Sequence, residues 1–335
     1  MRVLVIGASG HLGAHLVRVL LKERYGVKAF VRKTSDLRGL AGLEVELLRG
    51  DVLDPESLAT AMAGCDAVFH LGAPTVLEAA TQKIIEDGTR NVFQCAHRLG
   101  IGKVVYTSSI VTVGYSSDPQ ILLDESSCQL TPASPYHVAK FHAEMFALDF
   151  SRETGLPVVV VNPATVIGPL DYRVTPSNLP IQQCLDRGLP VVFNSGLTIV
   201  HVEDVAAGHL LALERGIAGQ RYILGGDRMT LPEYFRLICK MCGRPSPAFK
   251  IPRALMLMAG AGFSALQWAG VKKVPFTYGL AKNLVGKYGW YSSQKAVRDL
   301  GYSWRSAEDA IRSYIEWRRS QGATGNPVGR RIPVG

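Results

Sequence analysis

The sequence predicts an α/β protein: a doubly wound parallel sheet of about seven strands followed by a smaller, mostly helical lobe. Three observations predict it. Continuous apolar runs of strand length recur at 3–6, 27–31, 45–48, 67–71, 104–106 and 158–161, with a seventh at 222–224. Helical patterns lie between them: Leu12, Leu16, Val19 and Leu20 make one apolar face, and Val92, Cys95, Ala96 and Leu99 make another, each followed by a glycine that can end the helix. The strand runs are apolar throughout rather than alternating, as expected where helices cover both faces of a sheet.

The first turn carries the first chemical signal. Gly7, Gly10 and Gly13 stand between the first strand and the first helix in the run Gly7-Ala8-Ser9-Gly10-His11-Leu12-Gly13. A glycine triplet alone says little, but in this position it permits a tight turn and the close approach of a pyrophosphate to free amides at a helix N-terminus. The first domain is therefore expected to be a Rossmann-type dinucleotide-binding unit. After the second strand, an acid would accept hydrogen bonds from an adenosine ribose, whereas this chain has Arg32 and Lys33 with Ser35 close behind. Arg32 would pair with a 2'-phosphate, which favours NADP over NAD; a surface cation stacking on adenine, suiting either cofactor, is the alternative. Asp51 and Val52, after the third strand, are placed to meet the adenine edge. His70-Leu71-Gly72-Ala73, ending the fourth, brings backbone to the middle of the cofactor.

Thr107-Ser108-Ser109 ends the fifth strand, at the carboxyl edge where open α/β sheets hold ligands. Ser134-Pro135-Tyr136-His137-Val138-Ala139-Lys140 then opens a helix, with Ser134 as a candidate cap and Pro135 suited to the first helical position. Tyr136 and Lys140, four residues apart, share a face with Ala143 and Ala147, whose small side chains let a flat ligand lie close. A phenol with an ordinary pKa of about 10 is a poor base, but a nearby ammonium and an oxidised nicotinamide both favour its phenolate. Ser109 is positioned to hold a substrate oxygen beside Tyr136, and Asn91 to steady Lys140 through a water.

The alternation of strands and helices fails at 169–197 and again after 226. Residues 1–169 are thus expected to form the dinucleotide-binding domain, with 198–225 returning to it, and 170–197 with 226–319 the substrate lobe across a cleft. The stretch 320–335, with four Gly, two Pro and no apolar period, is expected to be loose or to lie on a neighbour.

Composition excludes several classes. At 47% hydrophobic and 19% charged, the 335 residues are globular rather than disordered. A net charge of +9 draws anionic small molecules, but the cations are scattered, without the basic stripe interleaved with aromatics that nucleic-acid binding needs. Residues 1–6 run directly into a strand with no secretory leader, so a cytoplasmic location is expected. Six cysteines in a chain of this size fit reduced thiols, and the CxxC of Cys239 and Cys242 repeats a helix face rather than forming half of a metal site, so no metal is expected. Residues 254–271 are nearly uncharged and about long enough to be weighed as a membrane span. Gly260, Gly262, Gly270, Ser264 and Gln267 dilute the stretch, and Pro252 with Lys272 and Lys273 bracket it. It reads as a buried or groove-lining helix, with contact to a membrane surface as the alternative.

At these residues the chain resembles the extended short-chain dehydrogenase/reductase family, in its NAD-dependent epimerase/dehydratase branch, nearly as far as Trp317. The shared positions also include Gly88-Thr89-Arg90-Asn91, Gly168-Pro169 and His201-Val202-Glu203-Asp204-Val205-Ala206. Residues 162–169 and 221–226 look most like hopanoid-associated sugar epimerases, with dihydroflavonol-reductase-like proteins close behind. The resemblance implies catalysis by Ser109, Tyr136 and Lys140, cofactor contacts that add Ser9, His11, Leu12, Thr107, Tyr136, Lys140 and Pro163 to the residues above, a small-molecule substrate such as a nucleotide sugar, and a homodimer. Two positions depart from the sugar epimerases and are at home among reductases: Thr165 stands where many carry Asn three residues before Gly-Pro, and Arg32 replaces the acid. Three functions follow. The first is a nucleoside-diphosphate-sugar epimerase that passes hydride out and back. The second is an NADPH-dependent ketone reductase, and the third a non-catalytic NADP sensor, against which the intact Ser109, Tyr136 and Lys140 set counts.

Overall fold

The computed structural model describes residues 1–71, 79–189, 191–247, 249–271, 274 and 276–323. The chain runs β1 (Arg2–Ile6), α1 (His11–Lys22), β2 (Gly26–Val31), β3 (Glu46–Arg49), α2 (Pro55–Met62), β4 (Ala67–His70), α3 (Ala79–Arg98), β5 (Lys103–Thr107), α4 (Pro135–Thr154), β6 (Val158–Pro163) and β7 (Thr165–Ile167). It continues through α5 (Leu179–Arg187), β8 (Val191–Val192), β9 (Gly196–His201), α6 (Val202–Arg215), β10 (Arg221–Leu224), β11 (Asp227–Thr230), α7 (Leu231–Cys242) and β12 (Phe249–Lys250). The last elements are α8 (Arg253–Trp268), α9 (Tyr278–Leu284), β13 (Tyr288–Gly289), α10 (Gln294–Leu300) and α11 (Ala307–Ala323).

Seven of these strands form one parallel sheet in the order β3-β2-β1-β4-β5-β6-β10, the doubly wound arrangement the apolar runs predict. Each strand serves two cores. Val3 and Val5 of β1 face the α1 and α6 side with Leu16, Val205 and Tyr222, while Leu4 and Ile6 face the opposite side with Phe93, Tyr106, Ala139 and Ala143. Alternate residues point to opposite faces, so a strand covered on both sides is buried on both. β3 is the exception: it is the sheet edge, and Glu46 and Leu47 are exposed.

A second sheet, β11-β9-β13 with β7 paired to β9, lies outside the first. Within the segment 198–225, β10 therefore joins the large sheet while the end of β9 belongs to the small one. Here Ile167, Ile181, Ile199, Ile238, Ile311 and Tyr314 build a separate core under α5, α7 and α11. Cys239 points into this core, 3.6 Å from Cys184, and among the described residues no cluster of His, Cys, Asp and Glu is arranged to hold a metal. The stretch read as a buried helix is α8, and it is not buried: Gly260 alone is, where the helix packs on α9. Among the described residues no helix is long and apolar enough to cross a membrane.

Candidate active site

β1 and β4 are neighbours, and the strand order reverses between them, so a crevice opens at their carboxyl ends. The glycine turn lies there. Gly7 has φ of 86°, a left-handed conformation that side chains rarely adopt, and its carbonyl accepts from Gly10 N at 3.0 Å. Gly13 is constrained by space instead: a Cβ there would sit 2.2 Å from Gly7 O and 2.9 Å from Ala8 Cα, forcing α1 away from β1. The first helical bond runs from Ala14 N to Gly10 O, and Gly10 caps the helix without a side chain, so the amides of His11, Leu12 and Gly13 stay outside the helix ladder. Such a cradle fits a pyrophosphate. Ser9 stands in the turn itself, partly exposed, and the His11 ring bonds Gly168 O at 3.1 Å, tying the turn to the chain beyond β7.

At the end of β2 both Arg32 and Lys33 are exposed, and among the described residues their side chains have no partner. Ser35 Oγ accepts from Arg32 N at 3.1 Å, and Arg49 holds Lys33 O at 3.0 Å, which fixes the backbone of the turn. The nearby carboxylate, Asp36, is engaged by Arg38 through Nε at 3.0 Å and Nη2 at 2.6 Å, and this holds it below the usual carboxylate range. Asp51 accepts from Leu53 N at 2.9 Å, and Val52 packs on Gly88, where a Cβ would meet it at 2.7 Å. Asn91 donates its Nδ2 to Val52 O at 3.0 Å, which fixes this loop. Leu71 extends β4 through a 3.0 Å bond to Ile6 O; Gly72 and Ala73 lie outside the described residues.

The helix α4 brings the proposed chemical groups together. Pro135 opens it, and Ser134 takes the cap position, but its hydroxyl bonds His137 Nδ1 at 2.8 Å instead of a helix amide. Tyr136 lies close to Ser109, which follows β5 in an extended conformation. Burial raises the Tyr136 phenol above its ordinary value, while Ser109 pulls it back. Lys140, one turn on, donates to Thr107 O at 2.8 Å, and its ammonium lies 5.2 Å from the Tyr106 ring centre. Burial lowers its pKa to about 8, against the opposing field of Glu144. Thr107 is itself pinned by its hydroxyl to His209 at 2.8 Å, and Pro163, buried at the end of β6, pairs with Leu224.

Sequence reasoning missed what lies beneath this trio. Glu144 follows Lys140 by one more turn, and its carboxylate is fully buried. It meets Arg221 Nε at 2.6 Å, Thr112 Oγ1 at 2.7 Å and Asn162 Nδ2 at 2.7 Å. Asn162 also donates to Ser109 O at 3.2 Å, so the network reaches the backbone of the serine. The spacing of 136, 140 and 144 was the available signal. His137 is a second omission: its Nε2 is buried with no partner among the described residues, its ring centre lies 6.1 Å from that of Tyr136, and burial lowers its pKa to about 4.

Residues 3–225 match the profile of the NAD dependent epimerase/dehydratase family. The chain belongs to this family. It is accordingly an NAD(P)-dependent enzyme of the extended short-chain dehydrogenase/reductase group. It is 34% identical over 328 residues to a Synechocystis sp. protein named after dihydroflavonol 4-reductase, covering 95% of this chain and 94% of that one. It is 32% identical over 331 residues to sterol demethylase protein B of Methylococcus capsulatus, covering 96% and 99%. Among solved structures, dTDP-glucose 4,6-dehydratase of Streptomyces venezuelae, with NAD and TYD bound, superposes with a TM-score of 0.80 at 26% identity, over 98% of this chain and all of that one.

Proposed function

We propose that this enzyme is an NADPH-dependent reductase of ketones or aldehydes, in which Tyr136 gives a proton to the carbonyl oxygen. The observation that carries the direction is the setting of Tyr136. Partial burial beside Ser109 raises the pKa of its phenol, and the ammonium of Lys140 is committed to Thr107 O, so the neutral phenol is favoured and a proton donor is in place. The glycine turn and the amides of His11, Leu12 and Gly13 would hold the nicotinamide cofactor, which would supply the hydride when bound. Ser109 holds the carbonyl oxygen beside the phenol. Tyr136 transfers its proton as negative charge gathers on that oxygen, yielding the alcohol, and recovers a proton from water. Lys140 keeps positive potential beneath the phenolate that remains.

The free Arg32, with Asp36 turned toward Arg38, supports the phosphorylated cofactor. The relatives named after dihydroflavonol 4-reductase and sterol demethylation point the same way. The epimerase reading uses the same trio, and the likeness to a nucleotide-sugar dehydratase supports it. One assay separates them: NADPH oxidation followed at 340 nm against a panel of ketones, aldehydes and nucleotide sugars, with the nucleotide released on denaturation identified. Reduction of a carbonyl with NADPH consumed is expected. Tightly held NAD and turnover of a nucleotide sugar with no net absorbance change would replace this reading with the epimerase.

A further inference from the structure

We propose that α8 is a docking surface for an anionic lipid bilayer, on which the enzyme rests without spanning it. The charge distribution starts the case. Residues 234–298 contain eleven Lys and Arg and no Asp or Glu, leaving 26 basic against 28 acidic residues in the rest of the chain. The whole net positive charge therefore resides in this one segment.

The same segment turns its apolar residues outward. Leu255, Met258, Gly262 and Leu266 fall on one face of α8 by their spacing, opposite Gly260, whose missing side chain lets the helix approach Tyr278 of α9. Along that face Leu255 is 55% and Met258 69% exposed, and near the two ends of the helix Phe249 and Trp268 are 73% and 92% exposed. Among the described residues nothing covers them. The 16 residues of α8 span about 24 Å, short of a bilayer core of about 30 Å, so the helix suits lying in the interface. Among the described cations, Lys250 and Arg253 precede the apolar stripe and Lys282 sits on the neighbouring α9; in sequence, α8 is followed by two further lysines.

Charge selects the occupant. A second copy of the chain seated on this face would bring two wholly basic segments together with no acid to pair them, whereas an anionic headgroup layer meets the cations while its acyl region takes the stripe and the Trp268 ring. The surface is coupled to the catalytic side. β13, which follows α9, bridges to Ser116, Lys287 bonds Ser117 at 2.6 Å, and Tyr291 donates to Gly114 O at 2.7 Å, all in the loop that leaves Ser109.

The full chain is sedimented with vesicles of phosphatidylcholine alone and of equal phosphatidylcholine and phosphatidylglycerol, at low and at 0.5 M NaCl. At least tenfold more protein is expected to pellet with the anionic vesicles, with the difference reduced in salt and the tryptophan emission shifted to the blue. Trp268→Phe should lose most of the shift yet still pellet. Met258→Asp should lose at least tenfold in pelleting with an unchanged circular dichroism spectrum and Tm. No pelleting with anionic vesicles, or equal pelleting with neutral ones, overturns the proposal. So does a dimer in sedimentation velocity that Met258→Asp dissolves, since the face would then belong to a second copy.

Discussion

Val158 to Val161 in β6 and the stripe of Leu255, Met258 and Leu266 on α8 are both apolar, yet one run is wholly buried and the other faces outward. The difference lies in what each can pack against. β6 has a strand on either side and a helical layer over each face, whereas α8, among the described residues, packs mainly on α9. Apolar composition tells where burial is favourable, and topology decides whether it happens inside the chain or against something else. The charges follow the same division. All eight histidines and all the acidic residues lie outside residues 234–298, which carry cations only.

The largest effect expected belongs to the sheet side. Tyr136→Phe should lower kcat by about 10³-fold while NADPH still quenches or enhances fluorescence at the same concentration, because only the transferable proton is removed. Comparable activity in that variant would end the proposed mechanism. Next comes a paired test of burial: Leu16→Ala should cost about 3 kcal/mol in urea unfolding, whereas Leu255→Ala on α8 should cost less than about 0.5 kcal/mol. Equal costs would show that the α8 stripe is buried in solution. Arg32→Ala comes third, with a rise of roughly 10–100-fold in the NADPH concentration needed for half-saturation, corresponding to a charge-assisted bond of about 1.5–3 kcal/mol, and little change with NADH. The same loss for both cofactors would mean that Arg32 does not read the 2'-phosphate.

The last test is a slope rather than a step. Burial depresses His15, His137 and His209 to about 4 and His70 to about 3, so each is neutral in the folded state at pH 6, whereas the unfolded chain takes up protons below about 6.5. Stability should hold steady above that point and fall as pH drops through 6.5 toward 4, by up to about 1.4 kcal/mol per pH unit for each histidine. Urea midpoints at pH 7 and pH 5 measure it, and identical midpoints would contradict neutral burial. Residues 234–298 contribute no histidine to this loss.

The large sheet was legible because continuous apolar strands and the glycine turn are local patterns, each written within ten residues. The pairing of Tyr136 with Lys140 was legible for the same reason, since a helix converts spacing into adjacency. Glu144 with Arg221 was not: 77 residues separate two single charges, and each looks like a surface residue until β10 is laid beside β6. The exposure of α8 escaped because an uncharged helix with glycines reads as buried unless its neighbours are known.

The buried contact of Glu144 with Arg221 also orders events in time. As the chain is made from its N-terminus, Ser109, Tyr136 and Lys140 emerge well before β10 does. Until Arg221 arrives, α4 carries a carboxylate that is unfavourable to bury, so the platform under the trio cannot consolidate. The face that carries Ser109, Tyr136 and Lys140 is thus expected to be among the last parts of the sheet domain to become rigid. In pulsed hydrogen exchange during refolding, amides of β1 and β2 should gain protection before those of α4 and β6, and simultaneous protection would mean that the acid is accommodated without its cation.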